Sequence, residues 1–286
     1  MAKPHLGYVG TGLMGGPMVD RLLERGYSIA AYDIVPEKVP AGAGRVTSPA
    51  AVCAGTDFIL LNLPRPDTVE AAVFGSEGVA SAIKSHQLVV DFSTIEIDTA
   101  RDLAARLRAA TGAGWVDAPV SGGPPAAATG MLTVMAGGRT DEIARIAPMM
   151  ADIAGRFTHL GPTGSGLAAK MVNQLIVGCG YAMLAEALTL AEAAGIDAAR
   201  LPDCLVGGHA DSALLQRLFP RLVARDFAPQ GYARQLLKDL EMVNAWAKGV
   251  GASTPMLEQA LQAYRELKKR GHSELDTSSV VKLYLD

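Results

Sequence analysis

Short, nearly unbroken apolar runs alternate with amphipathic stretches from the N-terminus to the turn Gly161-Pro162-Thr163-Gly164. Residues 6–9, 28–32, 58–62 and 87–91 read as strands. Their lack of apolar–polar alternation fits parallel strands covered on both faces. Residues 17–25 and 98–110 are among the helical stretches between them. Such alternation predicts a doubly wound α/β sheet, which the later runs 115–117, 132–135 and 157–160 would extend.

The pattern changes after Gly164. Residues 165–194 contain no proline and are rich in Ala, Leu, Met and Glu. A helix of that length spans roughly 45 Å at 1.5 Å per residue, which predicts a rod joining two domains. Only helical runs follow, at 198–206, 232–249, 255–269 and 277–285. The expected architecture is α/β followed by all-α. A Rossmann-type doubly wound parallel sheet occupies residues 1–162. An all-helical domain occupies 163–286, the two joined by a long interdomain helix.

Composition narrows the classes of function. The 286 residues are 49% hydrophobic and 19% charged, ample for packed cores and unlike a disordered chain. Lys and Arg number 26 against 29 Asp and Glu, a formal net charge of −3. No basic excess exists to neutralise phosphates, so no nucleic-acid partner is expected. Cys53, Cys179 and Cys204 are odd in number and far apart, which suits neither a disulfide framework nor a zinc site. The five histidines are scattered without an HExxH pattern, so no metal is expected. The cysteine usage predicts a reducing, cytoplasmic setting. The first ten residues lack the apolar stretch of a signal peptide. The most apolar window, 175–185, is too short to cross a bilayer, so no membrane association is expected.

The loop Gly10-Thr11-Gly12-Leu13-Met14-Gly15 follows the first strand and opens a helix. In that context Gly10 permits the tight turn, Gly12 lets the backbone approach a pyrophosphate, and Gly15 lets helix and strand pack closely. The helix N-terminus adds N–H groups and a positive dipole end. Asp33 ends the second strand, about where a ribose-binding acid is expected. Its carboxylate would accept from both ribose hydroxyls and repel a 2′-phosphate. Ile34, Val35 and Pro36 include no arginine to hold such a phosphate. NAD is therefore the expected cofactor, with NADP the alternative that nearby Lys38 leaves open.

Four ordered segments resemble the β-hydroxyacid dehydrogenase family, which includes 3-hydroxyisobutyrate dehydrogenases and tartronate semialdehyde reductases. They are the glycine loop, Asp117-Ala-Pro-Val-Ser-Gly-Gly123, Gly164-Ser-Gly-Leu-Ala-Ala-Lys170-Met-Val-Asn173-Gln174, and Lys238-Asp239-Leu240. The resemblance covers essentially the whole chain and implies the following roles. Lys170 is the general acid/base that handles the hydroxyl proton. Asn173, one helical turn on, orients the lysine or donates to the substrate. Ser121, Gly122 and Gly123 form an anion-binding nest for a substrate carboxylate. Thr94 contacts the nicotinamide, although a capping role for Ser93 and Thr94 stands beside it. Leu63 and Pro64 pass under the cofactor. Lys238 reaches the cofactor and Asp239 the substrate, with Tyr232 where a phenylalanine is common. A plain solvated helix face is the alternative for the Lys238–Asp239 pair. Two departures stand out. Pro124, Pro125 and Ala126 replace the family's usual small residues and glycine. Gln174 replaces a second asparagine, as in tartronate semialdehyde reductases.

The resemblance implies hydride transfer between NAD and the hydroxyl-bearing carbon of a short 3-hydroxy acid. A tartronate semialdehyde or glyoxylate-type reductase using NAD(P)H is the neighbouring alternative. A non-catalytic NAD-binding scaffold is the alternative of another class, against which the retained Lys170 speaks. The decarboxylating phosphogluconate relatives need a longer helical domain, and imine reductases usually lack a lysine at position 170. The expected partners are a small hydroxy acid or semialdehyde and further copies of the chain, as a homodimer or homotetramer.

Overall fold

The apolar runs read as strands become the centre of a parallel sheet in the computed structural model, which describes residues 3–285. In order along the chain come β1 (His5–Val9), α1 (Gly15–Glu24), β2 (Ser28–Tyr32), β3 (Gly44–Arg45), β4 (Phe58–Leu61), α2 (Pro66–Phe74), β5 (Leu88–Asp91), α3 (Ile97–Thr111) and β6 (Gly114–Asp117). The strands lie in the order β3-β2-β1-β4-β5-β6, and every pairing is parallel. This is the doubly wound order, whose direction reverses between β1 and β4. Ligands of open α/β sheets bind at the carboxyl ends of the strands beside that reversal. All residues of β4, β5 and β6 are buried, as covered parallel strands require. On α1, Met18, Val19 and Leu22 face the same core as Leu6, Tyr8 and Leu60.

The next run departs from the sequence expectation. β7 (Val120–Ser121), α4 (Gly123–Thr129), β8 (Leu132–Ala136), α5 (Thr140–Ile153) and β9 (Ala154–His159) follow. Their strands form a separate three-stranded sheet, β7-β8-β9, antiparallel then parallel. The runs at 132–135 and 157–160 therefore do not extend the first sheet. The cause lies just after β6. Pro119 has no N–H to continue the ladder. Gly122 at φ 128° and Gly123 at φ 70° then turn the chain back.

The rest is helical: α6 (Ser165–Ala193), α7 (Leu201–Leu205), α8 (Ala213–Val223), α9 (Ala233–Gly249), α10 (Pro255–Lys269) and α11 (Lys282–Leu285). The chain divides into two compact units, the first ending at Lys170 and the second beginning at Met171. The division falls inside α6 rather than at 162–163. In the second unit α6 contributes Leu184, Ala185, Leu188 and Ala191 to the buried interior. By length and composition alone α6 is also apolar enough to cross a membrane, because the helix extends well beyond the 175–185 window.

Two helical readings change. α8 was not among the expected runs, yet it buries Leu215, Leu218, Phe219 and Leu222 at helical spacing, and the Ser212 hydroxyl accepts from Leu215 N–H at its start. Residues 277–285 are not one helix. A 3-10 segment, Thr277–Val281, is started by Asp276 accepting from Ser278 N–H, and only α11 continues it.

Candidate functional site

Strand β1 runs into a turn that glycine alone tolerates. Gly10 has φ 95°, and a Cβ there would collide with Asn62 O. A Cβ on Gly15 would collide with Gly10 O. A Cβ on Gly12 would meet nothing within 4 Å. Gly10 and Gly15 are thus demanded by the loop's own packing, while Gly12 keeps the space before α1 open. The first turn of α1 has no side-chain cap and no acidic residue, so nothing there competes with an incoming anion. Thr11 is buried, Met14 half-buried and Leu13 exposed.

Asp33 follows β2 and faces this loop. Its Oδ2 accepts from Thr11 N–H at 2.8 Å and its Oδ1 from Val35 N–H at 2.9 Å. The carboxylate ties the glycine loop to the strand, beside the Gly10 N–H to Tyr32 O bond at 2.9 Å. Oδ2 also accepts from the Thr11 hydroxyl at 3.4 Å, Oδ1 has a further lone pair, and the residue is half-exposed. An open glycine edge, an uncapped helix start and a carboxylate beyond them fit the pyrophosphate and ribose of a dinucleotide.

The neighbouring strand exits are joined. Leu63 N–H donates to Ser93 Oγ at 2.9 Å, and Ser93 N–H donates to Asp91 Oδ1 at 2.9 Å. Leu63 and Pro64 therefore leave β4 along a path set by Ser93, and half-buried Thr94 follows it. The Ser93 hydroxyl accepts from Leu63 N–H, so its position is set by the β4 exit. Helix α3 starts at Ile97, with Glu96 before it.

The last residue of β6 organises the start of α6. Asp117 is buried and accepts from Gly164 N–H at 2.7 Å and Leu167 N–H at 2.9 Å. Burial pushes its carboxyl above the usual range, against the pull of these N–H donors. One turn beyond Leu167, Lys170 is only 6% exposed, and its Nζ donates to Val120 O at 2.8 Å. A lysine this buried is uncommon. Val120 adjoins Ser121, Gly122 and Gly123, whose two glycines have successive positive φ values. Pro124 and Pro125 bring no N–H, so any nest here rests on the three residues before them.

In the second unit a string of polar groups runs along α6 and α9. Asn173 Nδ2 donates to Gln174 Oε1 at 2.7 Å, and Gln174 Nε2 donates to Asp239 Oδ2 at 2.6 Å. Lys238 Nζ lies 3.1 Å from Asp239 Oδ1. That contact is an ion pair without hydrogen-bond alignment, and Asp239 Oδ1 is a buried oxygen with no aligned donor among the described residues. Asp239 is buried and Lys238 half-buried, so the pair is no solvated face. Tyr232 precedes α9 instead of lying on it. Its ring sits 4.5 Å from the Arg234 guanidinium, and its backbone bridges to Asp276.

The first unit thus gathers the glycine loop, Asp33, Leu63 and Ser93, and joins Lys170 to the Val120–Ser121 strand. The second gathers Asn173, Lys238 and Asp239. Sequence reasoning gave no role to Asp117 or to Gln174 as a connector. Each sat inside a matched segment, but nothing local tells which distant backbone or side chain it meets. A surface groove of about 490 Å³, lined by Cys53, Thr56, Lys84, His86 and Gln87, lies at the amino ends of β4 and β5. That is the edge of the sheet opposite the glycine loop. Among the described residues no group of three or more His, Cys, Asp or Glu is placed to hold a metal ion.

Known proteins match over the same residues. The profile of the NAD binding domain of 6-phosphogluconate dehydrogenase matches residues 5–161. The profile described as NAD-binding of NADP-dependent 3-hydroxyisobutyrate dehydrogenase matches residues 164–284. A 3-hydroxyisobutyrate dehydrogenase of Pseudomonas aeruginosa is 33% identical, over 98% of this chain and 98% of its own. A 2-hydroxy-3-oxopropionate reductase of Escherichia coli is 32% identical, over 96% and 95%. The crystal structure of a 3-hydroxyisobutyrate dehydrogenase from Salmonella typhimurium aligns with a TM-score of 0.89 at 29% identity, covering 98% of this chain and 100% of that one.

Proposed function

From the premise that this chain belongs to the β-hydroxyacid dehydrogenase family, we propose that it oxidises a short 3-hydroxy carboxylic acid of the 3-hydroxyisobutyrate type, or reduces the matching semialdehyde, with Lys170 as general acid/base. The chain is an NAD(P)-dependent oxidoreductase acting on hydroxyl-bearing carbon. When bound, the nicotinamide supplies the hydride acceptor or donor.

The residues do the rest. Loss of hydride from a carbinol carbon makes its hydroxyl proton acidic, and a neutral Lys170 amine accepts that proton. In reduction the ammonium returns it to the forming alkoxide. The observation that carries this reading is the burial of Lys170 with Nζ held by Val120 O, beside Ser121. A backbone carbonyl cannot ionise, so it orients the amine without fixing its charge. Ser121, Gly122 and Gly123 would hold the substrate carboxylate through the serine hydroxyl and backbone N–H groups. Asp33 would take the adenosine ribose hydroxyls, and its negative charge supports NAD over NADP. Thr94, Leu63, Pro64 and Lys238 would line the cofactor, and Asp239 with Tyr232 the substrate.

Lys170→Ala tests the proposal. Turnover should fall about 10³-fold, within the range of general acid–base effects, while the Kd for NADH changes less than about twofold. Retained turnover removes the assignment. A second reading, a 2-hydroxy-3-oxopropionate-type reductase, is favoured by Gln174 in place of an asparagine and by the E. coli relative. Comparing kcat/KM for 3-hydroxyisobutyrate and for 2-hydroxy-3-oxopropionate at fixed cofactor separates the two.

A further inference from the structure

Asp117 heads the segment that leads to the Ser121–Gly123 turn, yet its carboxylate is turned to the chain itself. Oδ1 accepts from Gly164 N–H at 2.7 Å and Oδ2 from Leu167 N–H at 2.9 Å. The residue is 1% exposed. Its backbone is equally committed. Asp117 N–H donates to Gly137 O at 3.0 Å, and Gly137 N–H donates to Asp117 O at 2.8 Å. Two glycines complete the socket. A Cβ on Gly137 would strike both carboxylate oxygens and Gly166 N, and a Cβ on Gly166 would strike Asp117 O, its Oδ2 and Met135 O. One residue thus pins the end of β6, the exit of β8 and the first turn of α6.

Two short arms run from this pin to Lys170. Along the strand exit, Val120 lies three residues after Asp117, and its carbonyl receives Lys170 Nζ at 2.8 Å. Along α6, Lys170 lies three residues after Leu167. A slide of α6 by a single residue's rise, about 1.5 Å, exceeds the tolerance of a hydrogen bond. We propose that Asp117 is a positioning residue: by holding Gly164 and Leu167 N–H it sets the height and rotation of α6, and so the place of Lys170 Nζ beside Val120 and Ser121. The inference rests on the proposed role of Lys170 and deepens it. Asp117 acts only through the lysine, because both of its oxygens are spent on α6.

Asp117→Asn tests this. Asparagine fills the same socket but brings one acceptor and an NH2 that opposes one of the two N–H groups. The kcat for the hydroxy acid should fall about 10–100-fold, as a slightly misplaced reacting group predicts. KM and the Kd for NADH should change less than about twofold. In a Lys170→Ala background the same substitution should change kcat less than about twofold, since the group it positions is gone. Asp152→Asn, which removes ion pairs of the first unit away from this socket, should leave kcat within about twofold. A general loss of stability would not separate these variants.

A further readout needs no turnover. Reductive methylation with formaldehyde and dimethylamine–borane, followed lysine by lysine by mass spectrometry, should be slow at buried Lys170 in the wild type. In Asp117→Asn the rate at Lys170 should rise at least about tenfold, while the rate at exposed Lys38 stays unchanged. Gly137→Ala reaches the same socket from the other side, because its methyl pushes on the carboxylate. It should show the same fall in kcat and the same exposure of Lys170, and it carries the test if Asp117→Asn does not fold. Equal falls in kcat with and without Lys170, a rise in KM without a fall in kcat, or a Lys170 labelling rate indifferent to both variants overturns the assignment. Silence of the wild type on every hydroxy acid sinks the dehydrogenase reading instead, and the labelling still judges what holds Lys170.

Discussion

Two carboxylates in the first unit do quite different work, and their surroundings explain the difference. Asp33 is half-exposed; its Oδ2 accepts from the Thr11 N–H and hydroxyl and its Oδ1 only from Val35, which leaves Oδ1 an acceptor for a ribose hydroxyl under the proposed function. Replacing it with asparagine should lower the NAD-to-NADP ratio of kcat/KM at least about tenfold, because the charge that repels a 2′-phosphate is gone. A ratio unchanged within error would place cofactor choice elsewhere. Asp117 is buried and spends its oxygens on the first turn of α6. Asp117→Ala removes a helix cap and orphans buried N–H groups. It should cost about 2–3 kcal/mol, read as a lower denaturant midpoint. Asp33 was legible from its spacing after the glycine loop. Asp117 was legible only as part of a matched segment, since its partners lie 47 and 50 residues away.

At the level of elements, the glycine loop shows how one motif mixes folding and binding demands. Gly12→Ala should leave the melting temperature within about 2 °C, because the new methyl meets open space. It should still weaken NADH binding at least about tenfold by standing where a pyrophosphate approaches. Gly15→Ala should melt early with or without cofactor, since its methyl strikes Gly10 O. Thermal melts with parallel NADH titrations check both, and equal behaviour of the two variants would refute the division of labour. Strand–helix alternation made the six-stranded sheet readable. The second sheet was not, because an apolar run announces a strand but not its neighbour. The break at Pro119 and the turn at Gly122–Gly123 decide that pairing. α8 escaped because Pro220 interrupts its pattern, although Ser212 and the spacing of its leucines mark it in retrospect.

Over the molecule as a whole, acid should loosen the first unit through Asp152. Its carboxyl accepts from Lys3, Arg25 and Tyr27. Burial pushes its pKa up, and these donors outweigh that and hold it at about 2. A depressed folded pKa contributes stability that is complete above the unfolded value near 4 and is lost as pH falls toward 2. With solvent screening of the exposed cations, about 1–2 kcal/mol should disappear across that window. Asp152→Asn should flatten this limb in acid unfolding curves, and an unchanged limb would assign it to other groups. α6 also leaves Val172, Ile176, Met183 and Leu190 more than half exposed. Light scattering should give a dimer or tetramer, and a mass near 29.8 kDa would contradict it.

The glycine loop, the acid after it and the α/β class of the first half were determined by local spacing, and the family by four segments that resemble it. Turns, caps and hydrophobic periodicity act over a few residues and leave their mark in the order of letters. Tertiary structure alone decided that 132–159 forms its own sheet, that Asp117 holds the first turn of α6, that Lys170 leans on Val120, and that Gln174 joins Asn173 to Asp239. Those contacts link groups far apart along the chain. Which polar atom meets which is settled by burial, where every donor and acceptor must find a partner that no short stretch of sequence names.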